Sequence, residues 1–174
     1  VDAAFATVEA DLGPVEIVVA NAGMNRDTLL MRLGEDEWQS VIDANLSGAY
    51  RVAKRACRGL VRGRWGRLIF ISSVVGLYGS AGQANYAAAK SGLVGLARSL
   101  TRELGGRGIT SNVIAPGFIE TDMTAGLPDA IRARALESIP LGRFGFQASA
   151  LFLGVCDDVG GGTVQLSGIG FGEP

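Results

Sequence analysis

Histidine is absent from the 174 residues of the sequence, and this absence excludes several kinds of catalytic site. Hydrolases of the Ser-His-Asp and Cys-His types need an imidazole, and so do metal sites with histidine ligands. Cysteine is nearly absent as well: Cys57 and Cys156 are the only two, and they form neither a disulfide framework nor a metal-binding spacing. If the chain is an enzyme, its proton chemistry must therefore use Tyr, Lys, Asp, Glu or Cys.

The sequence also lacks a strong charge of either sign and a long apolar run. Its formal net charge is −1, which gives no reason to expect nucleic acid or an anionic membrane as a partner. No apolar run reaches the length of about eighteen residues that a membrane-spanning helix needs. The composition, 48% hydrophobic and 19% charged, is typical of one folded domain, which we expect over 1–174 in a reducing, cytoplasmic setting.

Short apolar runs alternate with longer segments that carry apolar residues at helical spacing. The runs that we interpret as strands are 15–20, 67–72 and 109–115. The segments that we interpret as helices are 1–12, 35–62 and 83–104. Such alternation predicts parallel βαβ units, and hence an α/β fold with a doubly wound parallel sheet in a three-layer α/β/α arrangement. Near the end of the chain we expect two short helices, at 127–137 and 147–155, and a strand at 163–166.

Polar or glycine-rich sequence follows each predicted strand. The segments concerned are Asn21-Ala22-Gly23, Ser72-Ser73 and Pro116-Gly117. In doubly wound sheets, ligands bind beyond the carboxyl ends of the strands. We therefore expect the chemistry of this protein at that edge of the sheet.

Tyr86 and Lys90 lie four residues apart on a predicted helix, so their side chains share one face. An ammonium near a phenol favours the phenolate, and we expect Lys90 to lower the pKa of Tyr86 toward the working range of a general acid. The alternative interpretation is an ordinary exposed pair on a helix. Ser73 could donate to a substrate carbonyl oxygen or be a turn residue, and Asn45 could mark an irregularity in its helix or lie at the surface.

Five features, taken in order, resemble the short-chain dehydrogenase/reductase family. They are Asn-Ala-Gly at 21–23, Asn45, Ser73, Tyr-x-x-x-Lys at 86–90 and Pro-Gly at 116–117. The resemblance runs to about residue 145, and 146–174 diverge from the family pattern. It implies a Rossmann-like fold in which Ser73, Tyr86 and Lys90 are catalytic and Asn45 completes a tetrad.

The resemblance also implies a reaction and a cofactor. Hydride would pass from NADPH to a carbonyl carbon, with NADH not excluded, while Tyr86 protonates the oxygen that Ser73 holds. Lys90 would also hold the nicotinamide ribose, and Asn45 would support a water that reprotonates Tyr86 through Lys90. The cofactor contacts implied are Asn21, Ala22, Gly23, Tyr86, Lys90, Pro116, Gly117, the Ile119 backbone and the Thr121 side chain.

Within the family, the amino-acid sequence around these motifs is similar to that of bacterial 3-oxoacyl-carrier-protein reductases. This similarity implies a 3-oxoacyl thioester as substrate and an acidic acyl-carrier protein as partner, docked on Arg64 and Arg107. Solvated arginines at element ends are also commonplace, so ordinary surface roles stay open for both. The family assembles as tetramers, and the resemblance implies pairing through helices 35–62 and 83–104.

The chain departs from the family pattern at both ends. The opening βαβα region, which would carry the glycine-rich turn for the cofactor pyrophosphate, has no counterpart here. We therefore expect an amino-terminally truncated piece that lacks the first strands and is inactive alone. Two other interpretations stay open: the same chemistry on acetoacetyl-CoA or another small ketone, and a non-catalytic relic or partner subunit.

Overall fold

A computed structural model describes residues 1–119, 129–139, 142–145, 152–154 and 165–167 of the chain. Its helices are α1 Asp2–Leu12, α2 Glu35–Ile42, α3 Gly48–Gly63, α4 Val75–Tyr78, α5 Ala84–Leu104 and α6 Asp129–Ser138. Its strands are β1 Ile17–Ala20, β2 Gly66–Ile71, β3 Ile109–Ile114, β4 Phe152–Gly154 and β5 Gln165–Ser167. A π-helical turn at Asp43–Ser47 joins α2 to α3, and 3₁₀ turns cover Leu30–Arg32 and Gly105–Arg107.

The strands form one sheet in the order β1-β2-β3-β4-β5. The pairs β1–β2 and β2–β3 are parallel, with Ile17 opposite Arg67 and Gly66 opposite Ile109. Each parallel pair is connected through helices, α2 and α3 before β2 and then α4 and α5 before β3. The predicted Rossmann-like α/β fold is thereby confirmed.

One prediction for the end of the chain was wrong. We expected a helix over 147–155, but Phe152–Gly154 is a strand that pairs antiparallel with β3 and with β5. A short apolar run cannot be assigned to helix or strand from its periodicity alone. Here the open edge of β3 offers backbone hydrogen bonds, and that tertiary pairing decides the conformation.

The hydrophobic core lies between one face of the sheet and the helices α3 and α5. Alternate residues of β2, Leu68 and Phe70, point into it, and Phe5 of α1 packs at its margin. Alanines of α3 at helical spacing, Ala49, Ala53 and Ala56, let this helix approach the sheet closely.

Strand β1 forms one edge of the described sheet and is buried on one face only. Val18 points into the core, whereas Ile17 and Val19 are each 56% exposed. An apolar run such as 15–20 is typical of a strand covered on both faces, but among the described residues one face of β1 is open. In that part of the chain, no helix is both long and apolar enough to cross a membrane.

The helix predicted at 35–62 is divided by the π-helical turn Asp43–Ser47. A π turn interrupts regular α-helical hydrogen bonding and is frequent at functional sites. Asn45 lies in this turn and is 1% exposed, so the alternative of a surface asparagine is excluded. The turn packs on α5, where Gly92 leaves room for Leu46: a Cβ at Gly92 would stand 2.8 Å from Leu46 Cδ2.

Candidate active site

Ser73 and Tyr86 meet beyond the carboxyl end of β2. Ser73 is the second residue after this strand, and Tyr86 lies in the first turn of α5. The Ser73 hydroxyl lies near enough to the Tyr86 phenol to lower its pKa through hydrogen bonding, and it accepts from the Val75 N–H at 3.2 Å. The structure thus brings together the two hydroxyls that the sequence proposed for a carbonyl oxygen.

Lys90 follows Tyr86 by one turn of α5 and is 4% exposed. Its Nζ donates to the Ile71 carbonyl oxygen at 2.8 Å and lies 5.5 Å from the centre of the Tyr86 ring. The hydroxyl of Ser72 binds the Lys90 carbonyl oxygen at 2.8 Å. These contacts attach α5 to the end of β2, and they exclude the alternative of an exposed helical pair.

Burial governs the pKa values of both titratable groups. It raises the pKa of the Tyr86 phenol, an effect that outweighs the lowering by the Ser73 hydrogen bond, and the Asp27 carboxylate raises this pKa further. Burial also lowers the pKa of Lys90 to about 8. The expected lowering of the Tyr86 pKa by Lys90 is therefore wrong for this structure. The ammonium binds the Ile71 carbonyl and lies over the phenol ring, and desolvation is the dominant influence on the phenol.

Asn45 points from the π turn to the end of β1. Its Nδ2 donates to the Met24 carbonyl at 2.6 Å and to the Val41 carbonyl at 2.9 Å. Its Oδ1 is buried and has no hydrogen-bond partner among the described residues. An unpaired buried acceptor costs free energy, and a polar hydrogen of a ligand or water would satisfy it.

Gly23 lies against the two polar groups of this site. A Cβ placed there would overlap Asn45 Oδ1 and come within 3.4 Å of Lys90 Nζ. Only glycine lets the backbone after β1 lie so close to the asparagine and the lysine. Gly23 lies on the side of the site where Asn21 and Ala22 are exposed.

The segment after β3 closes the third side of the site. The Val74 N–H donates to the Pro116 carbonyl at 3.0 Å, and Gly117 lies beside the Val74 side chain. Ile119 forms a parallel bridge with Gly145. Thr121, the remaining residue proposed to contact a cofactor, lies outside the described residues.

Three contributors to this site escaped the sequence analysis. Asn85 is fully buried beside Tyr86, and its side chain binds the backbone on both sides of the site. Gly76 of α4 lies so close to α5 that a Cβ would stand 2.9 Å from Lys90 Cβ. Ser72 was noted only as a strand end. A pattern in the sequence does not distinguish such residues from turn residues, because their partners are distant along the chain.

Arg64 and Arg107 are far from this constellation within the chain. Both are exposed and precede the amino ends of β2 and β3, whereas Ser73 follows the carboxyl end of β2. The six residues of β2 separate the two ends by about 20 Å. Arg64 ends α3 with a left-handed backbone, φ 52°. The structure therefore does not bring the two arginines to the side chains of Ser73, Tyr86 and Lys90 in the same chain.

Known proteins share this sequence over most of its length. The family described as short chain dehydrogenase matches residues 1–132. The chain is 53% identical over 148 residues to the 3-oxoacyl-[acyl-carrier-protein] reductase MabA of Mycobacterium avium, covering 85% of this chain and 58% of that protein. It is 51% identical over 145 residues to the FabG reductase of Escherichia coli, with 83% and 59% covered.

The chain thus spans just under three-fifths of the length of these relatives. The family match covers the four residues that the sequence predicts to be catalytic, Asn45, Ser73, Tyr86 and Lys90. The fold, the order of the motifs and the match to the family agree, and this chain belongs to the short-chain dehydrogenases.

Proposed function

We propose that this chain acts in the reduction of the 3-oxo group of an acyl thioester carried by an acyl-carrier protein, a step of fatty-acid biosynthesis in the cytoplasm. The observation that carries the proposal is the contact between the Ser73 and Tyr86 side chains, with Lys90 buried one helical turn away. The names of the relatives, 3-oxoacyl-[acyl-carrier-protein] reductases, support the choice of substrate.

In this proposal, Tyr86 gives its proton to the carbonyl oxygen as that oxygen becomes an alkoxide, and Ser73 donates a hydrogen bond to the same oxygen. The pKa of Tyr86 is raised by burial, so the phenol stays protonated at neutral pH and is ready to act as an acid. Lys90 and Asn45 provide the polar path that returns a proton to Tyr86.

The residues around Gly23 fit a nicotinamide dinucleotide. The Lys90 ammonium has three donors, of which one is used by the Ile71 carbonyl, so it can hold ribose hydroxyls. The unpaired Asn45 Oδ1 requires a donor, and the backbone at Gly23 is open to a close ligand. When bound, this cofactor supplies the hydride. The choice of NADPH rests on the family resemblance, and NADH stays as the alternative.

The proposed tetramer rests on the surface of α5 and on the family resemblance. Small residues at helical spacing, Ala88, Ser91 and Gly95, are exposed along this helix. Small side chains let two helices approach each other closely, as pairing of copies across a two-fold axis requires.

The decisive experiment is Tyr86→Phe in the full-length protein that contains this chain. The ring volume is kept and only the proposed acid is lost, so kcat for reduction of a 3-oxoacyl thioester should fall by about 10²–10⁴-fold. The KM for NADPH should change little because Lys90 remains. Tyr50→Phe, on the exposed side of α3, is the matched control and should retain normal turnover.

Three outcomes would redirect the proposal. Near-normal kcat in Tyr86→Phe would place the acid elsewhere and defeat the site assignment. A full-length wild type that binds the cofactor and reduces no thioester would favour a non-catalytic partner subunit. Reduction of acetoacetyl-CoA in preference to the carrier-protein thioester would favour the related small-ketone activity.

A further inference from the structure

The side chain of Asn85 links the catalytic helix to the segment that follows Gly23. Asn85 is the second residue of α5 and is 0% exposed. Its Oδ1 accepts a hydrogen bond from the Tyr86 N–H at 2.8 Å, and its Nδ2 donates to the Arg26 carbonyl at 3.1 Å. One buried amide therefore binds Tyr86 on one side and the segment 24–28 on the other.

Further hydrogen bonds strengthen the same junction. Gln83 Nε2 donates to Asp27 Oδ1 at 3.0 Å, and the Thr28 N–H donates to the Gly82 carbonyl at 2.8 Å. Segment 24–28 is thus tied to the start of α5 at three successive residues. At its other end, the Met24 carbonyl accepts from Asn45.

The two ends of this junction belong to different parts of the proposed site. Met24 follows Gly23 and binds Asn45, on the side assigned to the cofactor, whereas Tyr86 is assigned to the substrate carbonyl. The distance between these two sides fixes how a hydride donor and a proton donor meet one carbonyl group. An error of about 1 Å in such an arrangement can lower a rate about 100-fold.

We propose that Asn85 is a positioning residue that sets Tyr86 relative to segment 24–28, and that turnover depends on this link. The inference rests on the proposed function, because it assumes that Tyr86 is the acid. A purely structural role would also satisfy the Tyr86 N–H, one of the amides at a helix start that lack a partner within the helix. The two roles differ in their effect on kcat.

The test compares four variants of the full-length protein, with kcat and KM measured for a 3-oxoacyl thioester and NADPH and stability measured by urea unfolding. Asn85→Ala removes both hydrogen bonds. Asn85→Asp keeps an acceptor for the Tyr86 N–H and loses the donor to the Arg26 carbonyl. Its negative charge is favourable at the start of a helix. Thr101→Val removes buried hydrogen bonds at the far end of α5, about 22 Å from Tyr86, and is the matched control for stability. Tyr86→Phe tests the proposed function itself.

We expect kcat to fall about 10- to 100-fold in Asn85→Ala and less in Asn85→Asp, with KM within about threefold of wild type. Thr101→Val should lose stability and keep its kcat. A normal kcat in either folded Asn85 variant, an equal loss of kcat in Thr101→Val, or failure of Asn85→Asp to fold would overturn the inference. If Tyr86→Phe also retains normal kcat, the proposed function fails instead.

Discussion

The two ends of β2 and β3 carry polar residues of very different kinds. Beyond the carboxyl ends, Asn45, Asn85 and Lys90 are between 0% and 4% exposed, and hydrogen bonds to backbone carbonyls hold each of them. Before the amino ends, Arg64 and Arg107 are exposed to solvent. Both ends are polar in the sequence, but only at the carboxyl ends are these polar side chains buried and held by hydrogen bonds.

The difference follows from the free energy of desolvation. A buried polar group costs stability unless it is hydrogen-bonded, and a buried charge costs more. At the carboxyl end the cost lies in the buried charge of Lys90 and in the unpaired Asn45 Oδ1, and the proposed catalytic role accounts for it. An exposed arginine costs almost nothing, so its presence at the amino end is weak support for a function.

The largest effect expected from this comparison concerns the buried charge of Lys90. Its pKa is about 8 in the folded chain and 10.5 ordinarily, so between these values the unfolded chain holds a proton that the folded chain lacks. The free energy of unfolding should therefore rise with pH across this window, by about 3 kcal/mol in full, and the burial penalty is complete below pH 8. Urea unfolding at pH 7.5 and pH 9.5 should show about 2 kcal/mol of this rise.

Lys90→Met should abolish this rise and raise the stability at pH 7.5. Lys54→Met, at the other, exposed lysine of the chain, is the control and should leave the rise intact. An unchanged pH dependence in Lys90→Met would show that the ammonium is well solvated, and the contrast between the two ends would be lost.

The next effect concerns the close packing at Gly23. In Gly23→Ala the new methyl group would overlap Asn45 Oδ1, and we expect a loss of about 1–3 kcal/mol in stability or in cofactor binding. Gly59→Ala adds the same methyl group to open space on α3 and should stabilise the chain by about 0.5–1 kcal/mol. Thermal unfolding and NADPH titration of both variants measure the difference. Equal changes in stability and in NADPH affinity in the two variants would show that the backbone after β1 has room for a methyl group at position 23.

The smallest effect concerns the exposed arginines. Arg64→Glu and Arg107→Glu should raise KM for a carrier-protein thioester about fivefold and leave a pantetheine thioester unaffected, because exposed charges contribute about 1 kcal/mol or less. Arg62→Glu makes the same charge change nearby and should have a smaller effect. Arginine and glutamate both have a Cβ, so the left-handed backbone at position 64 is equally strained in the wild type and in Arg64→Glu. Equal effects on both thioesters would leave the reductase chemistry standing and remove the docking role.

Much of the fold could be predicted because the spacing of apolar residues along the chain indicates which segments are helices and which are strands. Helices α1 and α5 and strands β2 and β3 begin and end within two residues of their predicted bounds. The π turn was predicted only as a possible irregularity at Asn45, because its geometry depends on packing against α5. The strand at Phe152–Gly154 was predicted as helix, since the backbone pairing that forms it lies forty residues away on β3.

The sequence by itself determined the α/β architecture, the order of the motifs and the identity of Ser73, Tyr86, Lys90 and Asn45 as candidates. These depend on local spacing and on residue type. Only the tertiary structure decided that the Tyr86 pKa is raised rather than lowered, that Asn85 belongs to the site and that Arg64 and Arg107 lie at the opposite edge. These outcomes depend on desolvation, on hydrogen bonds between distant segments and on the direction of parallel strands. All three are properties of the folded chain and cannot be derived from the spacing of residues along the sequence.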